Sequence, residues 1–272
     1  MSAPGVRLPR DWHSRPVQIA VAGCGGSGSH VLAGLARLHT CLVGLDHPGL
    51  AVVAYDPDRV TDSNVGRQLF APADLGRLKA DALIHRINLW YGLDWQAVPE
   101  RLDADNATGK PVDLLVGCVD SAAARVALGA FCAARQVDFW LDLGNEQRTG
   151  QVVLGQPAEA AQSAGWRLPT VLEVFPDLRD PARRDPGPSC SLAESLSRQG
   201  PLINQMMATL ALDALWQALR TGAIPRFAWF VNLDDGRVTS LPAEPAVTAR
   251  YTGGAHTRLS DGSALVSSAA TP

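Results

Sequence analysis

Residues 17–30, VQIAVAGCGGSGSH, constrain this chain more than any other stretch. A short apolar run of buried-strand type stops abruptly at glycines, and a helical pattern follows over 28–39. Gly23, Gly25 and Gly28 fit the spacing G-x-G-x-x-G, and Gly26 adds a fourth glycine. The glycines of such a loop permit a tight turn, close backbone approach to a phosphate, and close packing of helix on strand. The amides at the start of the helix then face the anion. A tight turn without a ligand would read the same way in isolation. The strand–loop–helix setting and Asp56, at the end of a second strand over 51–55, point instead to a bound nucleotide whose ribose hydroxyls can donate to a carboxylate. The loop alone does not choose between a nicotinamide dinucleotide, a flavin and ATP.

The rest of the chain alternates in the same style. A helical pattern covers 74–91, a third strand 112–120, an alanine-rich helix 121–136 and a fourth strand 138–144. The uninterrupted hydrophobicity of VDLLVGCVD suits a parallel sheet covered on both faces. This predicts an α/β fold with right-handed crossovers. Residues 155–190 read as a Pro-, Arg- and Asp-rich surface loop. A long helix follows over 199–220, whose Met206, Met207, Leu210, Leu212, Leu215, Trp216 and Leu219 suit a core or a subunit interface. Residues 227–242 read as a hairpin with an Asp-Asp-Gly turn. From 243 onward the chain is small and polar, and is expected to be a disordered tail.

Composition closes several doors. The formal charge of −3 offers no global field for nucleic acid or anionic lipid. No apolar run approaches the roughly 20 residues of a membrane span, and the first residues carry no secretory pattern. The five cysteines, Cys24, Cys41, Cys118, Cys132 and Cys190, are scattered and form no C-x-x-C pair. That suits a reducing, cytoplasmic setting and predicts no structural zinc. Cys24, Cys41, Cys118 and Cys132 read as packing residues.

The stretch YDPDRVTDSNVGRQLFAPADLGRLKADAL, 55–83, is the discriminating one. After the second strand it offers Asp58, Asn64, Arg67 and Gln68, then Lys79 at the start of a helix. A guanidinium fork and a point-charge ammonium are complementary phosphate ligands, and a dehydrogenase using NAD needs neither there. Asp120 ends the third strand, at the carboxyl edge where open α/β sheets bind ligands. A lone carboxylate there suffices for Mg²⁺, which keeps several of its waters. Each residue also has a bland reading: Arg67 and Lys79 as solvated charges, Asp120 as a cap of the helix beginning SAAAR.

Taken in order, DPDRVTDSNVGRQLF, GRLKA and CVDSAAAR resemble the ThiF/MoeB/E1-like adenylating enzymes. More narrowly, the chain resembles the ThiF-related protein of bacterial PRTRC cassettes, which also encode a small ubiquitin-like protein and a JAB-type peptidase. The resemblance spans about residues 15–222 and implies a Rossmann-like, doubly wound, mostly parallel sheet with helices on both faces. It implies one adenylation domain over 1–242, with a crossover loop at about 155–198. It assigns ATP contacts to Gly23, Gly25, Gly26, Gly28, Asp56, Asp58, Asn64, Arg67, Gln68 and Lys79, and the Mg²⁺ carboxylate to Asp120. Arg67, Lys79 and Asp120 become catalytic, and Cys190, in the family's crossover loop, a candidate for a thioester step. The implied substrate is the C-terminal carboxylate of a ubiquitin-like protein, and the implied assembly a homodimer. The family's N-terminal arginine that reaches a partner's site has only Arg7, Arg10 and Arg15 as counterparts, in a different context. Other readings are an NAD(P)-dependent oxidoreductase, a binding protein of this fold without chemistry, and a tRNA-modifying member, which the near-neutral charge disfavours.

Overall fold

The computed structural model describes residues 5–103, 111–158, 166–180, 182 and 200–252. At its centre are the expected strands: β2 (Val17–Ala22), β3 (Leu50–Tyr55), β5 (Leu114–Gly117) and β6 (Phe139–Asn145), with β1 (Val6–Arg7) before them and the short β4 (Gln96–Val98) between β3 and β5. The order β4-β3-β2-β5-β6 is parallel throughout. The chain steps outward from β2 to β4, then returns to the other side of β2 and steps outward again. Right-handed crossovers therefore put α1 (Gly26–Val43) and α2 (Lys79–Tyr91) on one face and α3 (Ala122–Arg135) on the other. β2, β5 and β6 are buried almost along their whole length, as strands covered on both faces must be.

The sheet continues antiparallel beyond β6. β7 (Thr149–Gly155) turns back against β6, and β9 (Arg226–Asn232) and β10 (Arg237–Pro242) complete eight strands. β7 lies in the stretch between the expected fourth strand and the expected loop. The turn at 146–148, where the Glu146 amide donates to the Thr149 carbonyl, makes it a hairpin partner of β6. The short α4 (Val171–Val174) packs on β7 and α3. The long α5 (Ile203–Thr221) lies along α1, where Gly34 admits the side chain of Leu212. Met207, Leu215 and Leu219 are buried, whereas Met206, Leu210, Leu212 and Trp216 are only partly covered. β8 (Ala223–Ile224) pairs with β1 in a separate two-stranded ribbon.

Three expectations are corrected. The expected surface loop over 155–190 is packed in part: α4 and a 3-10 turn at Pro176–Arg179 form within it, and Leu168, Val171, Leu172 and Leu178, apolar side chains that stand among its prolines and charges, are buried. The segment from 243 is not a featureless tail over its described part: α6 (Pro245–Thr252) is helical, with Thr248 buried and Tyr251 edge-on to Phe227 at 6.1 Å between ring centroids. Cys41 is exposed on α1, not packed in the core, while Cys24 and Cys132 are buried and Cys118 is half-buried. Among the described residues, no helix is long and apolar enough to cross a membrane.

Candidate functional site

The site lies where the strand order reverses, at the carboxyl ends of β2, β3 and β5. Gly23 leaves β2 at φ +92°, a backbone that side chains rarely adopt, and its amide donates to the Tyr55 carbonyl at 2.8 Å. Gly28, in the first turn of α1, passes so close that a Cβ there would sit 1.8 Å from the Gly23 carbonyl oxygen. The loop is thus wound tightly onto itself and onto β3. The N-cap of α1 is Gly25, which has no side chain to satisfy the first-turn amides. Those amides are directed at the same edge.

Asp56 joins the loop to β3. One carboxylate oxygen accepts from the Cys24 amide at 2.6 Å, the other from the Asp58 amide at 2.8 Å. Burial pushes its pKa up, and the Lys79 charge and the two amides oppose that rise. The segment 58–60 then runs antiparallel to 76–79: the Val60 amide donates to the Arg77 carbonyl, the Gly76 amide to Val60, and the Lys79 amide to Asp58. This ladder returns Lys79 to the loop after the excursion through 61–75. Its ammonium lies 2.9 Å from Asp58 Oδ2, with Lys79 buried and Asp58 mostly exposed. The helical pattern expected from residue 74 is a 3-10 turn at Pro72–Asp74, and α2 proper begins at Lys79.

Asn64, Arg67 and Gln68 share the excursion. The Asn64 carboxamide oxygen accepts from the Thr61 amide at 2.9 Å and from its hydroxyl at 3.2 Å, so Asn64 builds the turn that carries Arg67. Burial pulls the Arg67 pKa down and the Asp120 charge partly restores it, which sets these two groups within electrostatic reach. Gln68 is buried against Gly25, its Oε1 without a hydrogen-bond partner among the described residues. Asp120 is exposed at the end of β5. The cap of α3 is its neighbour Ser121, whose hydroxyl accepts from the Ala124 amide at 3.1 Å, so the Asp120 carboxylate is not consumed by the helix. Behind it, Arg125, the last residue of the CVDSAAAR segment, donates to Asp142 at 3.0 Å and to the Leu143 carbonyl at 3.1 Å, in a buried pair whose acidic partner no local sequence motif marks.

The edge thus gathers Gly23, Gly25, Gly26, Gly28, Asp56, Asp58, Arg67, Gln68, Lys79 and Asp120. Cys190 lies outside the described residues. Burial pushes the Cys24 and Cys118 thiols well up, so neither is a thiolate at neutral pH. Arg15 is committed elsewhere: it grips both oxygens of Asp113, at 2.6 and 2.8 Å, at the start of β5 on the opposite edge. Arg7 and Arg10 lie away from the carboxyl edge, on β1 and in the short 3-10 turn that follows it.

The sequence profile of the ThiF family matches residues 12–248. The chain belongs to the ThiF family. Within this ThiF-family chain, 179 residues are 26% identical to ubiquitin-like modifier-activating enzyme 5 of Drosophila grimshawi, covering 59% of the chain and 42% of that protein. The same enzyme of Xenopus laevis is 28% identical over 165 residues, covering 54% and 39%. Among solved structures, E. coli MccB with ATP superposes with a TM-score of 0.56 at 14% identity, over 84% of this chain and 64% of that one. PaaA gives 0.55 at 16%, also over 84% and 64%. The matched regions therefore span less than half of those curated relatives, and the solved structures share the fold. The ThiF-family sheet, with its parallel half, antiparallel extension and helices on both faces, is the doubly wound α/β architecture expected from the sequence.

Proposed function

We propose that this chain is an ATP-dependent adenylating enzyme of the E1-like kind, acting on the C-terminal carboxylate of a small ubiquitin-like protein. The observation that carries the reading is Lys79. A buried ammonium is delivered by a dedicated backbone ladder to a glycine loop whose helix has no capping side chain. Such a cation beside bare amides suits a chain of phosphates. An NAD site has no use for it, whereas Asp56, held by one backbone amide on each oxygen, keeps acceptor capacity for the ribose of either nucleotide. In support, the family's matched region covers every one of these residues, and MccB of the same fold was solved with ATP.

In this reading the glycine-loop amides and Lys79 hold the phosphates, and Asp56 and Asp58 order the loop and the lysine. A substrate carboxylate oxygen attacks the α-phosphorus. The bond from that phosphorus to the bridging oxygen breaks, and pyrophosphate leaves with the electron pair. Negative charge grows on the transferring and leaving oxygens, and Arg67 and Lys79 stabilise it. No proton transfer is required, because the nucleophile is already ionised at neutral pH. Among the described residues there is no group of three His, Cys, Asp or Glu side chains fit to hold a metal. Asp120, exposed and not used as the helix cap, would hold Mg²⁺ as its single protein carboxylate. When bound, that ion neutralises phosphate charge. Cys190 is proposed to take the acyl group as a thioester, its thiolate attacking the acyl carbon and AMP leaving. Cys190→Ser then keeps adenylate formation and loses a thiol-sensitive conjugate. A homodimer in a cytoplasmic setting completes the proposal.

Calorimetric titration with ATP–Mg²⁺ and with NADH separates the function classes. Micromolar ATP affinity with no NADH binding supports the proposal. The reverse would replace it with an oxidoreductase. ATP binding without pyrophosphate exchange, measured with the ubiquitin-like protein of a PRTRC-type cassette, would leave a binding protein of this fold.

A further inference from the structure

Gly26 is the glycine of the loop that G-x-G-x-x-G does not use. A Cβ at Gly26 would lie 2.6 Å from Cγ, Oδ1 and Nδ2 of Asn204 alike, so the flat face of that carboxamide rests on the first turn of α1. Asn204 is the second residue of α5 and is buried to 1% exposure. The Ser27 hydroxyl, itself buried, lies 3.2 Å from Asn204 Oδ1 and 3.3 Å from Asn145 Oδ1 at the end of β6. The Gly200 amide, just ahead of α5, donates to the Gln147 carbonyl at 2.9 Å. The start of α5, the β6–β7 turn and the first turn of α1 are thereby tied together.

A packing role alone does not explain the residue. Packing alone would call for an apolar residue there, since the helix is otherwise apolar on that face. Instead Asn204 keeps Nδ2 buried with no hydrogen-bond partner among the described residues. An unpaired buried donor is a cost, and a group that carries one calls for a reason beyond volume. Here the compensating feature is the oxygen, which accepts from Ser27 and so fixes the turn whose amides face the ligand.

We propose that Asn204 is a positioning residue: with Ser27 and the surplus glycine at 26, it locks the first turn of α1 in the geometry that binds nucleotide phosphates. The proposal rests on the nucleotide-binding reading above and adds a determinant from the far end of the chain. Without the lock the turn samples orientations in which its amides no longer converge, and affinity for phosphate falls while the fold persists.

The test uses the full chain, with ATP–Mg²⁺ and NADH as probes in calorimetry and with thermal unfolding alongside. Asn204→Leu is expected to remain cooperatively folded, with at most a modest fall in Tm from its larger side chain, and to lose about tenfold in affinity for whichever nucleotide the wild type binds. Ser27→Ala is expected to lose two- to fivefold. Gly26→Ala supplies a second route should Asn204→Leu not fold, because it collides with Asn204. Adding Asn204→Ala to Gly26→Ala relieves the collision, and the double variant is expected to regain Tm without regaining affinity. Wild-type affinity in Asn204→Leu, or affinity that returns together with Tm in the double variant, would overturn the lock and leave the adenylation reading standing. A wild type that binds neither nucleotide would overturn both.

Discussion

The two edges of the parallel sheet hold their charged residues in opposite ways. At the amino edge, the Asp113 carboxylate is buried and saturated: both oxygens meet the Arg15 guanidinium, and one also accepts from the Gln18 amide at 2.7 Å. Arg15 is further braced by Asp11. At the carboxyl edge, Lys79 meets a single oxygen of a mostly exposed Asp58, Asp120 is exposed, and α1 begins without a side-chain cap. A closed network has spent its hydrogen-bonding capacity on the fold. An open one, on the same sheet and only a strand's length away, retains capacity for a ligand. The comparison also takes Arg15 out of contention for reaching a second site, since releasing it would leave Asp113 buried and unpaired.

That contrast can be broken by substitution. The largest effect is expected at the open edge and in activity alone: Asp120→Ala should reduce adenylate formation by about 10³-fold or more with Tm unchanged. Lys79→Ala should cost about 10²–10³-fold by the same assay. A drop in Tm that accounted for either loss would make the open edge structural as well. Next comes the buried pair beneath it, in which Arg125 meets one oxygen of Asp142. Asp142→Ala strands the buried Arg125 and should lower unfolding stability by about 3–5 kcal/mol in denaturant titration. At the amino edge Arg15→Ala should cost about 1–3 kcal/mol, because the guanidinium is partly exposed, and leave the KM for ATP unaltered. A raised KM would show that the two edges are coupled. The smallest effect is expected from pH. Burial lowers the pKa of His30 and His47 below the ordinary 6.5, so the unfolded chain binds more protons in the window just beneath that value. The histidines' share of stability should therefore decline as pH falls through it, while the burial-raised carboxylates of Asp56, Asp138 and Asp142 act in the opposite sense. The histidine share is visible as a fall in Tm between about pH 7 and pH 5 that is smaller when His30 and His47 are replaced by Gln.

The open edge was the more legible of the two. Its glycine spacing, Asp56 and the cluster from Asp58 to Lys79 stand within one short reach of chain, and their meaning depends on local backbone chemistry that sequence encodes directly. The long-range pieces were not legible. Arg15 and Asp113 are nearly a hundred residues apart, and nothing local marks them as partners. The β7 strand has an apolar run too short to distinguish from loop, and only its pairing with β6 and β9 gives it away. The helix α6 carries little apolar periodicity; Val247 and Tyr251, one turn apart, pack it against the core. Asn204 left a faint signal, a polar residue in PLINQMM together with one glycine more than the loop motif needs. The 74–91 pattern located α2 but not its start, because the ladder from 76 to 79 overrides helix propensity to bring Lys79 back to Asp58.

Pyrophosphate–ATP exchange in the presence of Mg²⁺, with and without a small ubiquitin-like protein ending in a free carboxylate, tests the central claim most directly. Exchange that appears only with the small protein, and vanishes in Lys79→Ala and Asp120→Ala, is the predicted result. Exchange that is absent although ATP binds, or that persists at full rate in both variants, would contradict the account.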